Sequence, residues 1–285
     1  MQESINLPFL INLEGKVAVI TGAGGILCSM FAQAIAKSGA KVALLDLNLE
    51  AAQEAAKSIN AQGGTAYAYK ADVLNKEALE AVHAEVVRDL GLCDILINGA
   101  GGNSPKATTT NEYYEPGVLD QGVSFFELEK AGVDFVFGLN FTGTLIPTQV
   151  FAKDMLGKEG CSIINISSMN AFTPLTKIPA YSAAKAAISN FTQWLAVHFS
   201  KAGIRVNAIA PGFFVTAQNM ALLYNEDGTA TARTNKILNA TPMGRFGEAT
   251  ELIGTLLYLI SPEASGFVNG AVIPVDGGFS AYSGV

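Results

Sequence analysis

Tyr181 and Lys185 stand four residues apart in the run PAYSAAKAAISNFTQWLAVHFS, from Pro179 to Ser200, where Lys185 carries the one formal charge. That spacing puts both side chains on one face of a helix. A solvated face would carry several charges, and a lone lysine near a helix's positive end opposes the dipole. Its presence therefore calls for a chemical reason. A phenol with an ordinary pKa of about 10 is a poor proton donor or acceptor at neutral pH. A cation close by favours the phenolate. Ser168, in NISSMNAF, lies just past an apolar strand-like run and can hold the oxygen that the tyrosine protonates. Lysine, serine and tyrosine at one strand mouth would make a proton-transfer site.

The elements that must position these residues alternate regularly. KVAVIT (16–21), KVALLD (41–46), TAYAYK (65–70), CDILIN (93–98), CSIINI (161–166), IRVNAI (204–209) and AVIPV (271–275) read as strands. Between them lie Ala-rich runs with helical periodicity, such as LCSMFAQAIAKSG and NKEALEAVHAEVVRDLG. Continuously apolar strands separated by helices imply a parallel sheet covered on both faces. The reading is α/β: one doubly wound, Rossmann-type domain over 1–285, with about seven parallel strands. Two connections are too long for ordinary turns, 101–131 and 213–241. Both follow strand C-terminal ends, the side of an open α/β sheet where ligands bind, and are expected to form a substrate wall and lid.

After the first strand comes TGAGGILC, Thr21 to Cys28, opening into a helix. Glycines there let the backbone turn tightly and bring N–H groups to a pyrophosphate at a helix N-terminus. Asp46 ends the second strand, where a carboxylate accepts from both ribose hydroxyls of NAD and repels a 2′-phosphate. NAD (NADH) is the expected cofactor, and its oxidised nicotinamide would add a second positive charge beside Tyr181.

On these residues the chain resembles the short-chain dehydrogenase/reductase family over nearly its whole length after residue 12. The matching pieces are TGAGG, Asp72, NGAG (98–101), Asn140 in LNFTG, Ser168, YSAAK (181–185), PGFFVT (211–216) and PVDGG (274–278). The resemblance implies a catalytic set of Asn140, Ser168, Tyr181 and Lys185. Tyr181 would be the general acid–base, Ser168 would position the reacting oxygen, Lys185 would bind the nicotinamide ribose and lower the tyrosine pKa, and Asn140 would hold a water leading to solvent. Implied cofactor contacts are Gly22, Gly24, Gly25, Ile26 and Leu27 at the pyrophosphate, and Asp46 and Leu47 at the ribose. Asp72 and Val73 would meet the adenine, and Asn98, Ala100 and Gly101 the adenosine ribose. Pro211, Gly212, Phe214 and Thr216 would line the nicotinamide, with Tyr181 and Lys185. Two positions depart from the family pattern. Its second and third glycines fall on Ile26 and Cys28, so Gly24 and Gly25 are expected to carry the turn one residue earlier. Its NNAG is NGAG here.

Within the family, NGAGGNSPKATT, SSMNAFTPLTKIPAYSAAKAA and IPVDGGFSAYSGV resemble the bacterial D-mannonate oxidoreductases (fructuronate reductases) of short-chain type. Gluconate 5-dehydrogenases and other sugar or polyol dehydrogenases are the neighbouring alternative, and a non-catalytic dinucleotide-binding module is a remote one. A keto sugar acid needs polar partners, and Asn103, Lys106, Asn170 and Lys177 flank the expected site beside Ser168 and Tyr181. Its carboxylate is expected on Lys106 or Lys177, ahead of Arg233 and Arg245.

Composition narrows the classes further. The 285 residues are 49% hydrophobic and 15% charged, with 18 basic against 25 acidic side chains and a net charge of −7. Such a field repels polyanions, which argues against nucleic acid or an anionic membrane as partner. No uninterrupted apolar run approaches a membrane span. Cys28, Cys93 and Cys161 are odd in number and far apart, suiting neither disulfides nor zinc. No metal is expected. The implied setting is the reducing cytoplasm, and the family resemblance implies a homotetramer.

Overall fold

The structure is a computed structural model, and it describes residues 11–115, 117, 122–215 and 220–284. Its centre is a seven-stranded parallel sheet. The strands are β1 (Val17–Thr21), β2 (Lys41–Asp46), β3 (Thr65–Lys70), β4 (Ile95–Asn98), β5 (Cys161–Ile166), β6 (Ile204–Pro211) and β7 (Val272–Val275). Their spatial order is β3-β2-β1-β4-β5-β6-β7. The chain runs outward from β1 in one direction, then returns to β1's other side through β4. That reversal opens a crevice at the carboxyl ends of the strands. The expected doubly wound Rossmann-type fold is what the chain adopts.

Alternating side chains feed two separate cores, as the pleat requires. Ala18, Ile20, Val42, Leu44, Ile95 and Ile97 face one side. There they meet the helices α1 (Ile26–Lys37) and α2 (Leu49–Ala61). Val17, Val19, Ala43, Leu45, Leu96 and Ile163 face the other. That side is covered by α3 (Lys76–Asp89), by α5 (Gly143–Phe151) and by α6 (Pro179–His198). Helix α4 (Lys130–Phe137) precedes α5 and is joined to it by one turn of π-helix, Gly138–Thr142. The continuous stretch Lys130–Met155 is long and apolar enough to cross a membrane, yet half of its most apolar window is buried inside the protein. It is a core helix here, because Val150, Phe151 and Met155 have the sheet to pack on.

The later part of the chain adds α7 (Met220–Leu223), α8 (Ala232–Asn239) and α9 (Ile253–Ile260). Asn48 and Asn75 cap α2 and α3, accepting from the N–H groups of Ala51 and Ala78. Helix α1 begins differently. Its cap residue is Gly25, no side chain caps it, and its first turn holds no acidic residue. Its N–H groups therefore remain open toward the crevice.

Candidate active site

Lys185 is 4% exposed although it is charged, and its Nζ donates to the Ile166 carbonyl at 2.8 Å, at the end of β5. The same ammonium lies 5.6 Å from the centre of the Tyr181 ring, one helical turn back on α6. Ser168 begins the segment after β5, where its extended backbone lets the hydroxyl accept from the Asn170 N–H. Asn140 sits fully buried in the π turn. Its amide donates to the carbonyls of Gly102 and Val136, both at 2.7 Å, and accepts from the Gly102 N–H. The four expected catalytic side chains thus come from three separate stretches of chain. Gly101 marks their meeting point: a Cβ added there would lie 2.7 Å from Asn140 Oδ1 and 3.1 Å from Lys185 Nζ.

Burial dominates the electrostatics of Tyr181 and Lys185. Burial pushes the phenol above its ordinary value, and the hydrogen bond with Ser168 pulls the other way. The larger displacement falls on the lysine itself, which burial lowers to about 8. Taking a charge out of water is the leading cause of the shift at Lys185. What the arrangement can do is exchange a proton between Tyr181 and a Ser168-held oxygen, with a readily deprotonated lysine behind it.

The dinucleotide cradle is built from backbone. Gly22 has φ +66°, and a Cβ there would press on the Ala100 backbone at 2.9 Å. The positive φ of the turn is therefore at Gly22. Gly24 and Gly25, expected to carry the turn, have no such φ. Gly24 instead approaches Asp46, donating its N–H to Oδ2 at 2.9 Å, while Asn48 N–H binds Oδ1 at 2.8 Å. Both bonds orient the carboxylate at the crevice. Ile26 and Leu27 open α1. Thr21 Oγ1 accepts from the N–H groups of Gly99 and Ala100, bringing the ends of β1 and β4 together. Leu47 and Asp72 are exposed just past β2 and β3, and Val73 is buried against Gly143. Gly212 rests on Asp276, and Phe214 is buried against Gly247. Thr216 lies outside the described residues. An uncapped helix start, a fixed carboxylate and a glycine-lined floor fit the pyrophosphate and ribose of NAD.

The departures at Cys28 and at the second residue of NGAG are one exchange. A Cβ at Gly99 would collide with Cys28 Sγ. The cysteine on α1 therefore occupies the space that the second residue of NGAG leaves open. Its thiol is buried and pushed up to about 12, so it stays neutral.

Asn98 belongs to a chain of buried polar groups that sequence reasoning missed. Thr144 Oγ1 donates to the Asn140 carbonyl, and Thr148 Oγ1 donates to the Thr144 carbonyl. Asn98 Nδ2 donates to Thr148 and to Asn165 Oδ1, both at 2.9 Å. Asn165 then donates to Thr192, and Thr192 to the Ile188 carbonyl. The chain runs from the π turn through two strands to α6, so it ties Asn140 to the helix bearing Tyr181 and Lys185. Parallel register sets Asn98 directly beside Asn165. Polar residues in otherwise apolar strands were the available signal.

The expected substrate residues separate into two groups. Lys106 is exposed and paired with Glu129 at 2.8 Å, and Asn103 bonds to Thr108 on the surface. Arg245 is held by Glu251. Asn170 is buried beside Ser168, its Oδ1 without a hydrogen-bond partner. Lys177 lines a cavity of about 420 Å³ together with Glu112, Arg233 and Lys236. That cavity is also walled by Ile178, just before the turn bearing Tyr181, and by Phe213, just after Pro211 and Gly212. Neither Glu112 nor Lys236 was foreseen, since residues so distant in sequence carry no shared pattern. Among the described residues, no His, Cys, Asp and Glu cluster could hold a metal ion.

Comparison with known proteins agrees with this geometry. The family model for short chain dehydrogenases matches residues 16–227. An uncharacterized oxidoreductase of Haemophilus influenzae is 63% identical over 285 residues, covering all of both chains. The crystal structure of a proposed D-mannonate oxidoreductase from the same species, with NAD bound, superposes with a TM-score of 0.95. It shares 64% identity and covers 98% of this chain and 100% of its own. The 5-keto-D-gluconate 5-reductase of Escherichia coli is 30% identical over 269 residues, 94% of this chain and 97% of the relative. The chain belongs to the short-chain dehydrogenase family.

Proposed function

We propose that this protein interconverts D-fructuronate and D-mannonate, reducing the keto acid with NADH and oxidising the hydroxy acid with NAD. The chain is an NAD-dependent oxidoreductase acting on CH–OH groups of a sugar acid, and this pair is the member of that class it fits best. The reading is carried by one observation. A cavity lined by Lys177, Arg233 and Lys236 adjoins the turn that bears Tyr181. The likeness to the NAD-bound Haemophilus structure supports it.

Bound NADH supplies the hydride to the ketone carbon. Gly22, Gly24 and Gly25 with the open start of α1 hold its pyrophosphate, and Asp46 takes the adenosine ribose hydroxyls. Ser168 holds the substrate oxygen, Tyr181 delivers the proton to it, and Lys185 binds the nicotinamide ribose. Asn140 fixes the floor at Gly101 and Gly102 under them. Segments 101–131 and 213–241 form the wall and lid. The assembly is a homotetramer, supported by the exposure of Phe135, Trp194 and Val197 on α4 and α6. Three free, buried cysteines suit a reducing cytoplasm.

Steady-state turnover on D-fructuronate against 5-ketogluconate, each with NADH and NADPH, tests the reading. The highest kcat/KM is expected for D-fructuronate with NADH. A higher value on 5-ketogluconate moves the protein to the gluconate 5-dehydrogenases, and inertness on every keto sugar acid leaves a dinucleotide-binding module.

A further inference from the structure

Within the 420 Å³ cavity, charge is unevenly balanced. Three cations, Lys177, Arg233 and Lys236, face one carboxylate, Glu112, in a chain whose net charge is −7. Lys236 Nζ meets Glu112 Oε1 at 2.6 Å. This pair holds the Glu112 carboxyl below the usual range, with Lys177 adding to the effect. Lys177 and Arg233 have no ion-pair partner among the described residues. Two other cations expected near the site differ from them: Lys106 is paired with Glu129 and Arg245 with Glu251.

Backbone places these groups with purpose. The Lys177 carbonyl accepts from the Thr109 N–H, which docks the loop before α6 on the 101–131 segment. Thr231 caps α8, and Arg233 and Lys236 follow at a spacing of three, on one face of that short helix. Glu112 belongs to the 101–131 segment and Lys236 to 213–241, so their pair spans the two long insertions.

We propose that Lys177 and Arg233 form the subsite for the substrate's carboxylate, and that the Glu112–Lys236 ion pair straps α8 beside it. This deepens the sugar-acid reading and rests on it. A carboxylate entering the cavity finds two cations without an ion pair among the described residues, and charge-assisted bonds to it are the strong ones. The strap holds α8, and with it Arg233, at the cavity that Lys177 also lines. Acid sugars are thereby selected over neutral ketoses of the same size.

The test uses the full-length enzyme with NADH and two probes, D-fructuronate and the neutral ketose D-fructose. Lys177→Met and Arg233→Met should each raise KM for the acid by about 10–100-fold, with kcat changed far less. The acid-over-neutral preference should fall by the same factor. In the wild type, KM for the acid should climb with NaCl, and the double variant should lose most of that climb. Glu112→Lys and Lys236→Glu should each impair the acid reaction, and combining them should restore most of the loss by rebuilding the pair in reverse. An unchanged preference in the double Met variant overturns the subsite and leaves the D-fructuronate reading intact. A wild type inert on D-fructuronate, yet active on another keto sugar acid through Lys177 and Arg233, does the opposite. Additive losses in the reversed pair overturn the strap. Preference for D-fructose over every acid overturns both readings.

Discussion

Burial shifts Tyr181 and Lys185 in opposite directions, the phenol up and the ammonium down, so the lysine is the group that titrates near working pH. Tyr181→Phe should keep NADH affinity and lose about 10²–10⁴ in kcat, the range for a removed general acid. Stopped-flow NADH oxidation beside fluorescence titration of NADH separates the two effects. The lysine predicts a pH dependence of cofactor binding. In the free protein Lys185 is a cation below about 8. A dinucleotide that prefers the charged form raises its pKa on binding, so affinity is fully present below 8 and declines as pH rises beyond it. The NADH Kd should be flat from pH 6.5 to 7.5 and then rise, by up to about tenfold per pH unit. In Lys185→Met the same titration should show a weaker and pH-independent Kd.

At the scale of elements, α1 and the end of β4 are fitted to each other through a cysteine and a glycine. Gly99→Asn, which restores the family's motif, should destabilise this protein by about 1–3 kcal/mol, because the new side chain collides with Cys28 Sγ. Cys28→Gly alone should cost about 1–3 kcal/mol through the cavity it leaves. The double variant should recover much of the Gly99→Asn loss, giving a favourable coupling in a denaturant-melt cycle. The buried chain from Asn140 to Thr192 is a second element-level device. Asn165→Ala would leave the Asn98 and Thr192 groups short of partners, at about 1–3 kcal/mol. Its kcat should fall more than its NADH affinity, since the chain aligns the π turn with α6. Kinetics and melts on one preparation check both halves.

For the whole molecule, exposed apolar groups on α4 and α6 are the feature that a lone chain does not explain. Trp194 is 56% and Val197 77% exposed, with Trp194 stacked between Phe191 and His198. Patches of this kind mark association surfaces. If the proposed homotetramer uses this face, Trp194→Glu should shift light scattering toward smaller species and lower the melting temperature in a concentration-dependent way. A tetramer that survives the substitution would remove this helix face from the interface.

Much of this protein was legible along the chain. Apolar strands and periodic helices depend on neighbours in sequence, so all seven strand runs and the doubly wound class could be read directly. Tyr181 and Lys185 share a helix face through i, i+4 spacing, and Asp46 ends the strand beside the phosphate turn. Strand order and the meeting of Asn140 with Gly101 and Lys185 are long-range, and no local pattern encodes them. The site of positive φ at Gly22 followed from the close approach of Ala100, which arrives from β4. Lys106 and Lys177 looked equivalent in sequence. Packing brought one to Glu129 on the surface and the other into a cavity with Arg233 and Lys236. A side chain's charge is set by its type, but the partner that neutralises it, or the absence of one, is set by what folding brings near.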